Sequence, residues 1–338
     1  MKLIINSNAH KRASLGSKRY FNGVYRHLQN LQKDIEFSNK YNFGPLDRFM
    51  ELFQRGQKNA IFWSPCHRGP IWAKNHVITV LDCINIEFTY KNNWKLPIYK
   101  FLFSRIYKNA LKIVAISDAT KKAILRNYDV DPEKITVIAG PSFISMENDL
   151  SYEVGPITFE IKKPFALLIT NKTHHKNTLN GCLGIINAKA FQDRRCSLVV
   201  VGSIDPGVLE QCKDHIDFYI FDKVSDSYLD YLYKNCVFLF SPSFDEGLNM
   251  PVAEGLSLGV SVLCSDIPVH REFYDGFVQF FDPYKVDDIS GKIDKMIERK
   301  DTSNISVDKF IGINFEFVAS QYSKLFDDLS AELLGLKR

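Results

Sequence analysis

Short apolar runs alternate with amphipathic helical stretches along this chain, and this alternation constrains its fold more than any other feature. Runs rich in Val, Ile, Leu and Phe that are separated by helices are typical of parallel strands covered on both faces by helices. The pattern therefore predicts an α/β fold built on parallel sheets. We expect strands at residues 2–7, 60–65, 76–82, 112–117, 165–170, 196–203, 216–221, 236–243 and 260–266.

The alternation is interrupted at residues 139–164, which are rich in Gly, Pro, Ser and Asn and have no helical period. Such a segment is typical of an interdomain connection. We therefore predict two Rossmann-like domains, at residues 1–150 and 151–317, with a terminal helix at 318–338 that completes the first. Two such domains favour a ligand site in a central cleft, outside the carboxyl ends of the strands.

Composition narrows the class of protein. No apolar run reaches the length of about 18 residues that a membrane-spanning helix needs. The seven cysteines form no C-x-x-C pair, which predicts reduced thiols and a cytoplasmic location. The eight histidines show no metal-binding spacing, so we expect no bound metal and no cofactor.

Charge is distributed unevenly along the chain. Residues 1–150 hold 23 Lys and Arg against 12 Asp and Glu, whereas the net charge of the whole chain is +4. The segment 91–112 interleaves aromatic residues with Lys and Arg, which favours contact with an anionic membrane or a lipid-diphosphate-linked acceptor. Nucleic acid is a competing partner for this segment. No nucleic-acid-binding motif accompanies it, so we expect the protein not to bind nucleic acid. A domain helix with its aromatic side chains in the core is the other interpretation.

The stretch SPSFDEGLNMPVAEGLSLGVSVLCSD, at residues 241–266, is the strongest candidate for a binding site. A strand precedes it, its proline favours the start of a short helix, and Gly259 favours the end of that helix. The free N–H groups of the first helical turn can bind an anion, and Gly247 lets the backbone approach it. Glu246 and Glu254 could bind pairs of ligand hydroxyls. The competing interpretation is that both acids only stabilise the helix dipole.

This stretch resembles the E-x7-E signature of family-4 glycosyltransferases, a large retaining group with the GT-B fold, in which two Rossmann-like domains face a central cleft. The match runs from Glu246 to Glu254 and continues into the apolar strand that follows. Three further segments resemble the same family: ALKIVAISDATKKAILRNYDVDPEKITVIAG at 110–140, HHKNTLNGCLGII at 174–186 and VSDSYLDYLYKNC at 224–236. The resemblance covers most of residues 1–320. It implies transfer of a sugar from a nucleotide-diphosphate donor to a sugar or lipid-linked glycan acceptor.

The resemblance also implies roles for residues of the second domain. Glu254 would bind the ribose hydroxyls of the donor, and Glu246 would lie against the donor sugar. The sugar and the phosphate would be bound by the backbone amides of Gly247, Leu248, Asn249 and Met250. Lys176 lies where the family places its phosphate-binding lysine, with Asn171 and Lys172 near the place of a frequent arginine. These groups and the helix N-termini would stabilise the diphosphate leaving group without a metal.

The first domain matches the family less closely. SLGSKRYFNGVYRHL resembles the loop and helix after the first strand, where Gly16 would let the backbone approach the diphosphate and Arg19 would lie nearby. The family's His-Asp pair is Leu81-Asp82 here, and a leucine cannot hydrogen-bond a C6 hydroxyl. We therefore hypothesise a 6-deoxy donor such as rhamnose or fucose. His67 and His76 are candidates to fill the place of the missing side chain.

These features together predict a retaining hexosyltransferase of bacterial surface polysaccharide assembly, such as O-antigen or capsule, in the cytoplasm or peripherally at the inner face of the membrane. Glu246 and Lys176 are the predicted catalytic residues, and by the same resemblance the departing phosphate would take the acceptor proton. Two alternatives stay open. A GT-B sugar-nucleotide epimerase would need no acceptor, and a non-catalytic GT-B subunit would tolerate the changes at Leu81 and Asn171.

Overall fold

The structure, a computed structural model, describes residues 1–7, 14–38, 52–89, 93–144, 161, 164–193, 195–298 and 312–335. The chain forms two compact units, Met1–Pro141 with Ile313–Arg338 and Ser142–Gly312. Each unit contains a parallel β-sheet, as the alternation of apolar runs and helices predicts. The predicted domain boundary at residue 150 lies outside the described residues.

The strands of the first unit are β1 (Lys2–Ile5), β2 (Ile35–Phe37), β3 (Ala60–Ser64), β4 (His76–Val80), β5 (Lys112–Ala115) and β6 (Ile135–Val137). In the part of the chain that the structure describes, they form a six-stranded sheet in the order β2-β1-β3-β4-β5-β6. Helices α1 (Leu15–Leu31), α2 (Leu96–Asn109) and α3 (Asp118–Asn127) connect them, with a π-helical turn at Asn85–Thr89 and a 3-10 turn at Pro132–Lys134.

The strands of the second unit are β7 (Phe165–Thr170), β8 (Ser197–Gly202), β9 (Phe218–Phe221), β10 (Phe238–Ser241), β11 (Val262–Ser265) and β12 (Gln279–Phe281). Within the described ranges the sheet has six strands in the order β12-β11-β10-β7-β8-β9. Its helices are α4 (Thr178–Asn187), α5 (Lys189–Gln192), α6 (Pro206–Cys212), α7 (Asp226–Asn235), α8 (Met250–Ser257), α9 (Pro268–Tyr274) and α10 (Val286–Glu298), with a 3-10 turn at His174–Lys176. This order places β7 beside β10 at the centre of the sheet.

The last helix, α11 (Phe315–Leu333), packs on α1 in the first unit. The hydroxyl of Tyr322 lies 2.8 Å from Oγ1 of Thr79 and 3.2 Å from the hydroxyl of Tyr20, and both tyrosines are buried. A Cβ atom at Gly23 would lie 2.5 Å from the ring of Phe315, so the close approach of the two helices requires a glycine there. No helix among the described residues is long and apolar enough to cross a bilayer.

Each predicted strand is present, most of them shorter by one or two residues at an end. Strands β2, β6 and β12 were not predicted from the sequence, and each is an edge strand of only three residues. An edge strand is partly exposed, so it lacks the continuous apolar run that marks a central strand. The segment that resembles the loop and helix after the first strand enters its helix early: the Ser14 side chain accepts a hydrogen bond from the Ser17 N–H and α1 starts at Leu15, so Gly16 lies in the first helical turn.

Candidate active site

Two connections meet at the carboxyl edge of the second sheet. β7 and β10 are parallel neighbours, with Phe238 opposite Ala166, so the segments that follow them lie at the same edge. The N–H of Phe244 donates to the carbonyl of His175 at 2.7 Å. The Asn177 amide donates to the Pro242 carbonyl at 2.9 Å. These bonds join the turn before α4 to the loop before α8.

Lys176 and Glu246 form an ion pair at this edge. Nζ of Lys176 donates to Oε1 of Glu246 at 2.7 Å, and the two side chains are only 16% and 10% exposed. The hydroxyl of Ser243 donates to the same oxygen at 2.7 Å. Burial raises the pKa of Glu246, but the charge of Lys176, with His175 and the hydrogen bonds, outweighs burial, so the pKa lies below its ordinary value. Glu246 is therefore a carboxylate at neutral pH.

The loop that precedes α8 is shaped by buried side chains. Asn249, the N-cap residue of α8, has a left-handed backbone with φ 66° and ψ 67°, which asparagine tolerates better than most residues. Its Nδ2 lies 2.8 Å from Oγ of Ser241 and 2.8 Å from Nε2 of His270. The hydroxyl of Tyr274 donates to the carbonyl of Leu248 at 2.8 Å. These contacts determine the path of the backbone at the start of α8.

His270 belongs to this site although the sequence analysis did not name it. Its Nδ1 lies 2.8 Å from the carbonyl of Ser265 and therefore donates, which leaves Nε2 as an acceptor for the Asn249 amide. Burial lowers the pKa of His270 to about 4, so the ring is neutral at neutral pH. One sequence signal could have identified it: a histidine near the start of a helix that follows an apolar strand lies at the carboxyl edge of the sheet.

Glu254 lies in the middle of α8 and is only 1% exposed. Its Oε2 accepts a hydrogen bond from the hydroxyl of Tyr233 at 2.9 Å. An acid that only stabilises the helix dipole is expected in the first turn at the surface, so that interpretation does not describe Glu254. Its role as a ligand for ribose stays a prediction. Gly259 has φ 76° two residues after the end of α8, in agreement with the predicted helix end.

The predicted residues that directly follow β7 are exposed. Oδ1 of Asn171 accepts the N–H of Thr173 at 2.9 Å and so closes a tight turn. Lys172 lies exposed in this turn, whereas Lys176 is largely buried against Glu246. Of the predicted phosphate-binding residues, the structure therefore brings Lys176, and not Lys172, into contact with the predicted sugar-binding acid.

The candidates of the first unit lie after neighbouring strands. Gly16, an exposed residue after β1, is in the first turn of α1, where an added Cβ would meet no atom within 4 Å. Arg19, one turn later, is half-buried. After β4, Leu81 is buried, and Oδ1 of Asp82 accepts the N–H of Ile84 at 3.0 Å. Asp82 therefore stabilises the turn that ends β4.

His67 follows β3. Its Nε2 lies 3.4 Å from Nδ2 of Asn85, and its ring packs edge-on against Phe103. Burial, with the nearby charge of Arg68, lowers the pKa of His67 to about 4. The ring is therefore neutral at neutral pH. Among the residues that the structure describes, no group of three or more His, Cys, Asp or Glu could hold a metal ion.

Comparisons with known proteins fit this site. Residues 183–308 match the family described as "Glycosyl transferases group 1". The chain is 28% identical over 225 residues to the O-antigen chain mannosyltransferase RfbU of Salmonella typhimurium. This match covers 64% of the chain and 59% of the relative, so it spans less than two thirds of that protein. The coarser prediction, a glycosyl transferases group 1 domain of the GT-B type, is confirmed.

Solved glycosyltransferase structures share the fold over nearly the whole chain. WaaG, a glycosyltransferase involved in lipopolysaccharide biosynthesis, is 13% identical with a TM-score of 0.60, covering 99% of this chain and 100% of WaaG. Anabaena Alr3699/HepE in complex with UDP and glucose is 14% identical with a TM-score of 0.59, covering 100% of both chains. A glycosyltransferase from Rickettsia africae is 16% identical with a TM-score of 0.62, covering 97% and 98%. The predicted GT-B fold is thereby confirmed.

Proposed function

We propose that this protein is a retaining glycosyltransferase that moves a sugar from a nucleotide-diphosphate donor to a sugar or lipid-linked glycan acceptor in bacterial O-antigen or related surface polysaccharide assembly. The observation that supports it most directly is the partly buried Lys176–Glu246 pair beside the loop before α8. The similarity to an O-antigen mannosyltransferase supports the choice of process.

The proposed chemistry uses the charges already in place. The bond between the sugar C1 and the diphosphate breaks, and a bond from C1 to the acceptor oxygen forms on the same face. The proton of the acceptor hydroxyl passes to the departing phosphate. Lys176 and the amides of residues 247–250 would stabilise the negative charge that develops on the diphosphate. Glu246 would position the donor sugar, and no metal or cofactor is required in this scheme.

The identity of the donor sugar has two candidates. The mannosyltransferase relative favours a mannosyl donor, whereas Leu81 favours a 6-deoxy sugar, because a buried leucine cannot satisfy a C6 hydroxyl. One structural relative is in complex with UDP, so UDP-sugars are included among the donors to be tested. Comparing the mannosyl donor with its 6-deoxy counterpart on the same nucleotide separates these candidates.

The first test is a thermal-shift panel of UDP-, GDP- and dTDP-sugars on the wild type. A ligand at about 100 times its Kd stabilises the protein by about 2.7 kcal/mol. We expect one nucleotide to raise the melting temperature of the wild type and to have no effect on Glu254→Gln. The matched control is Glu272→Gln, an exposed glutamate in α9, which should behave as wild type. No shift with any nucleotide would contradict the proposal and favour a non-catalytic subunit.

The second test measures turnover with the donor so identified. Replacing one group that stabilises or positions the transition state lowers kcat by about 10²-fold or more. We therefore expect Glu246→Gln to lose at least that factor while Glu272→Gln keeps full activity. NMR of the product anomer tests retention, and turnover after chelation with EDTA tests independence of metal. An inverted product would contradict the retaining mechanism.

A further inference from the structure

A cavity of about 360 Å³ lies in the first unit beside α2. This volume is within the range of small-molecule sites. Its walls include the apolar side chains of Ile98, Leu102, Phe103 and Ile106. A pocket whose walls are mainly apolar favours a ligand with an apolar part.

Two cationic residues also line this cavity, Arg68 from the segment after β3 and Lys95 from the start of α2. Nζ of Lys95 lies 5.6 Å from the ring centre of Trp94, which is 76% exposed and is another lining residue. An apolar space with cations in its wall complements a ligand that has a hydrocarbon part and an anionic part.

The outer surface of α2 has the same combination of side chains. Ile98 is 50% exposed and Phe101 59% exposed, and the guanidinium of Arg105 lies 5.3 Å from the ring centre of Phe101. Exposed apolar side chains that lie together usually mark an interaction site. The excess of 23 Lys and Arg over 12 Asp and Glu in residues 1–150 adds long-range attraction for an anion.

We propose that this cavity binds one hydrocarbon chain of an amphiphile with a phosphate head group, with Arg68 and Lys95 pairing with the phosphate. The proposal deepens the proposed function and rests on it: the chain would be the lipid part of the acceptor. The exposed rings of Trp94, just before α2, and of Phe101 would lie beside the ligand, and Ile98, Leu102 and Ile106 would contact its methylene groups.

Binding of dodecyl phosphate below its micellar concentration, measured by isothermal titration calorimetry and by intrinsic tryptophan fluorescence, tests this proposal. Ile98→Glu puts a carboxylate in the cavity wall, and we expect affinity to fall at least about tenfold. Leu125→Glu is the matched control, since Leu125 lies in α3 of the same unit, is 37% exposed and is not among the lining residues. It should change affinity by less than about twofold. Equal losses in the two variants would overturn the cavity assignment.

The head group is tested with ligands that contain only one of the two parts. Lys95→Ala should lower the affinity for dodecyl phosphate by about fivefold and leave the affinity for dodecyl maltoside unchanged, because only dodecyl phosphate is anionic. Lys100→Ala, on the same helix, is the control. Inorganic phosphate alone should bind weakly or not at all. Binding of inorganic phosphate as tightly as dodecyl phosphate would overturn the assignment of a hydrocarbon site.

A membrane surface is distinguished with phosphatidylglycerol vesicles. If the wild type cosediments with vesicles but does not bind dodecyl phosphate, α2 contacts the lipid surface without taking a chain into the cavity, and the proposal is wrong. The nucleotide thermal shift is measured on the same variants. Glu246, Glu254 and Lys176 belong to the second unit, so these variants should keep the nucleotide shift. A wild type that shows the nucleotide shift but binds no dodecyl phosphate would refute this proposal alone, whereas the absence of any nucleotide shift would refute the proposed function.

Discussion

Lys176 and Glu246 neutralise each other at a place where neither charge is well solvated, and this arrangement links the stability of the second unit to its proposed chemistry. The carboxylate of Glu246 needs the nearby Lys176 cation to stay ionised, because burial alone would raise its pKa. The diphosphate of a donor would compete with Glu246 for the same ammonium group. Lys176 thus keeps Glu246 ionised, and a bound diphosphate would separate the two groups.

Lys176→Met removes the cation and leaves the carboxylate of Glu246 behind. We expect the pKa of Glu246 to rise and the free energy of unfolding to fall by about 3 kcal/mol, since removing one partner of a buried pair leaves the other charge uncompensated. Urea denaturation measures the loss, and the nucleotide thermal shift should disappear. Lys172→Met is the control: Lys172 is exposed, so its effect should stay below about 0.5 kcal/mol. Similar losses of unfolding free energy in both variants would contradict the stabilising role of the Lys176–Glu246 pair, and a nucleotide shift that persists in Lys176→Met would argue against Lys176 as the phosphate-binding residue.

At the scale of elements, the loop between β10 and α8 depends on contacts from α9 and from the end of β10. His270 and Ser241 both bond the amide of Asn249, while Tyr274 bonds the carbonyl before it. The backbone amides assigned to the donor are therefore placed by a neighbouring helix. Side chains far from the ligand should consequently affect donor affinity.

Two substitutions at Asn249 separate its two roles. Asn249→Gly keeps the left-handed backbone but loses the side-chain amide. We expect the free energy of unfolding to fall by about 1–2 kcal/mol. Asn249→Ala loses the amide and also places a Cβ in the left-handed region, which adds about 1 kcal/mol. Urea denaturation should rank wild type above Asn249→Gly and that above Asn249→Ala. If Asn249→Gly equals the wild type, the hydrogen bonds to Ser241 and His270 do not stabilise the loop.

At the scale of the whole molecule, buried neutral histidines make both units sensitive to mild acid. Burial lowers the pKa of His76 in the first unit to about 3 and that of His270 in the second to about 4. The unfolded chain binds protons near pH 6.5, whereas the folded chain does not until the pH is much lower. Stability is therefore complete above pH 6.5 and is lost as the pH falls below it.

Between pH 6.5 and 5, each of these two histidines should lower the free energy of unfolding by about 2 kcal/mol. Urea denaturation at several pH values in this window measures the slope. Paired carboxylates begin to lose stability only near and below pH 4.3, so the window reports mainly on histidine. His270→Gln, which cannot titrate, should reduce the slope. A free energy of unfolding that is unchanged from pH 7 to 5 would contradict the neutral buried state.

Much of the local structure could be predicted because it depends on neighbouring residues. The central strands have continuous apolar runs, Pro251 lies at the start of α8 and Gly259 just past its end. Three edge strands were missed because partial exposure removes the apolar signal. The residue at which α1 begins could not be predicted from hydrophobic periodicity, because the cap at Ser14 is a local polar contact.

The sequence by itself determined the class of fold, the elements and the resemblance that singled out Glu246, Glu254 and Lys176. Only the tertiary structure decided which of these side chains meet. Lys176 and Glu246 are 70 residues apart, and they touch because β7 and β10 are neighbours in the sheet. The hydrogen bond from Tyr233 to Glu254 and the packing of α11 on α1 are likewise contacts that only the tertiary structure decides. Periodicity reports which residues are buried, whereas strand order and helix packing determine which residues they are buried against.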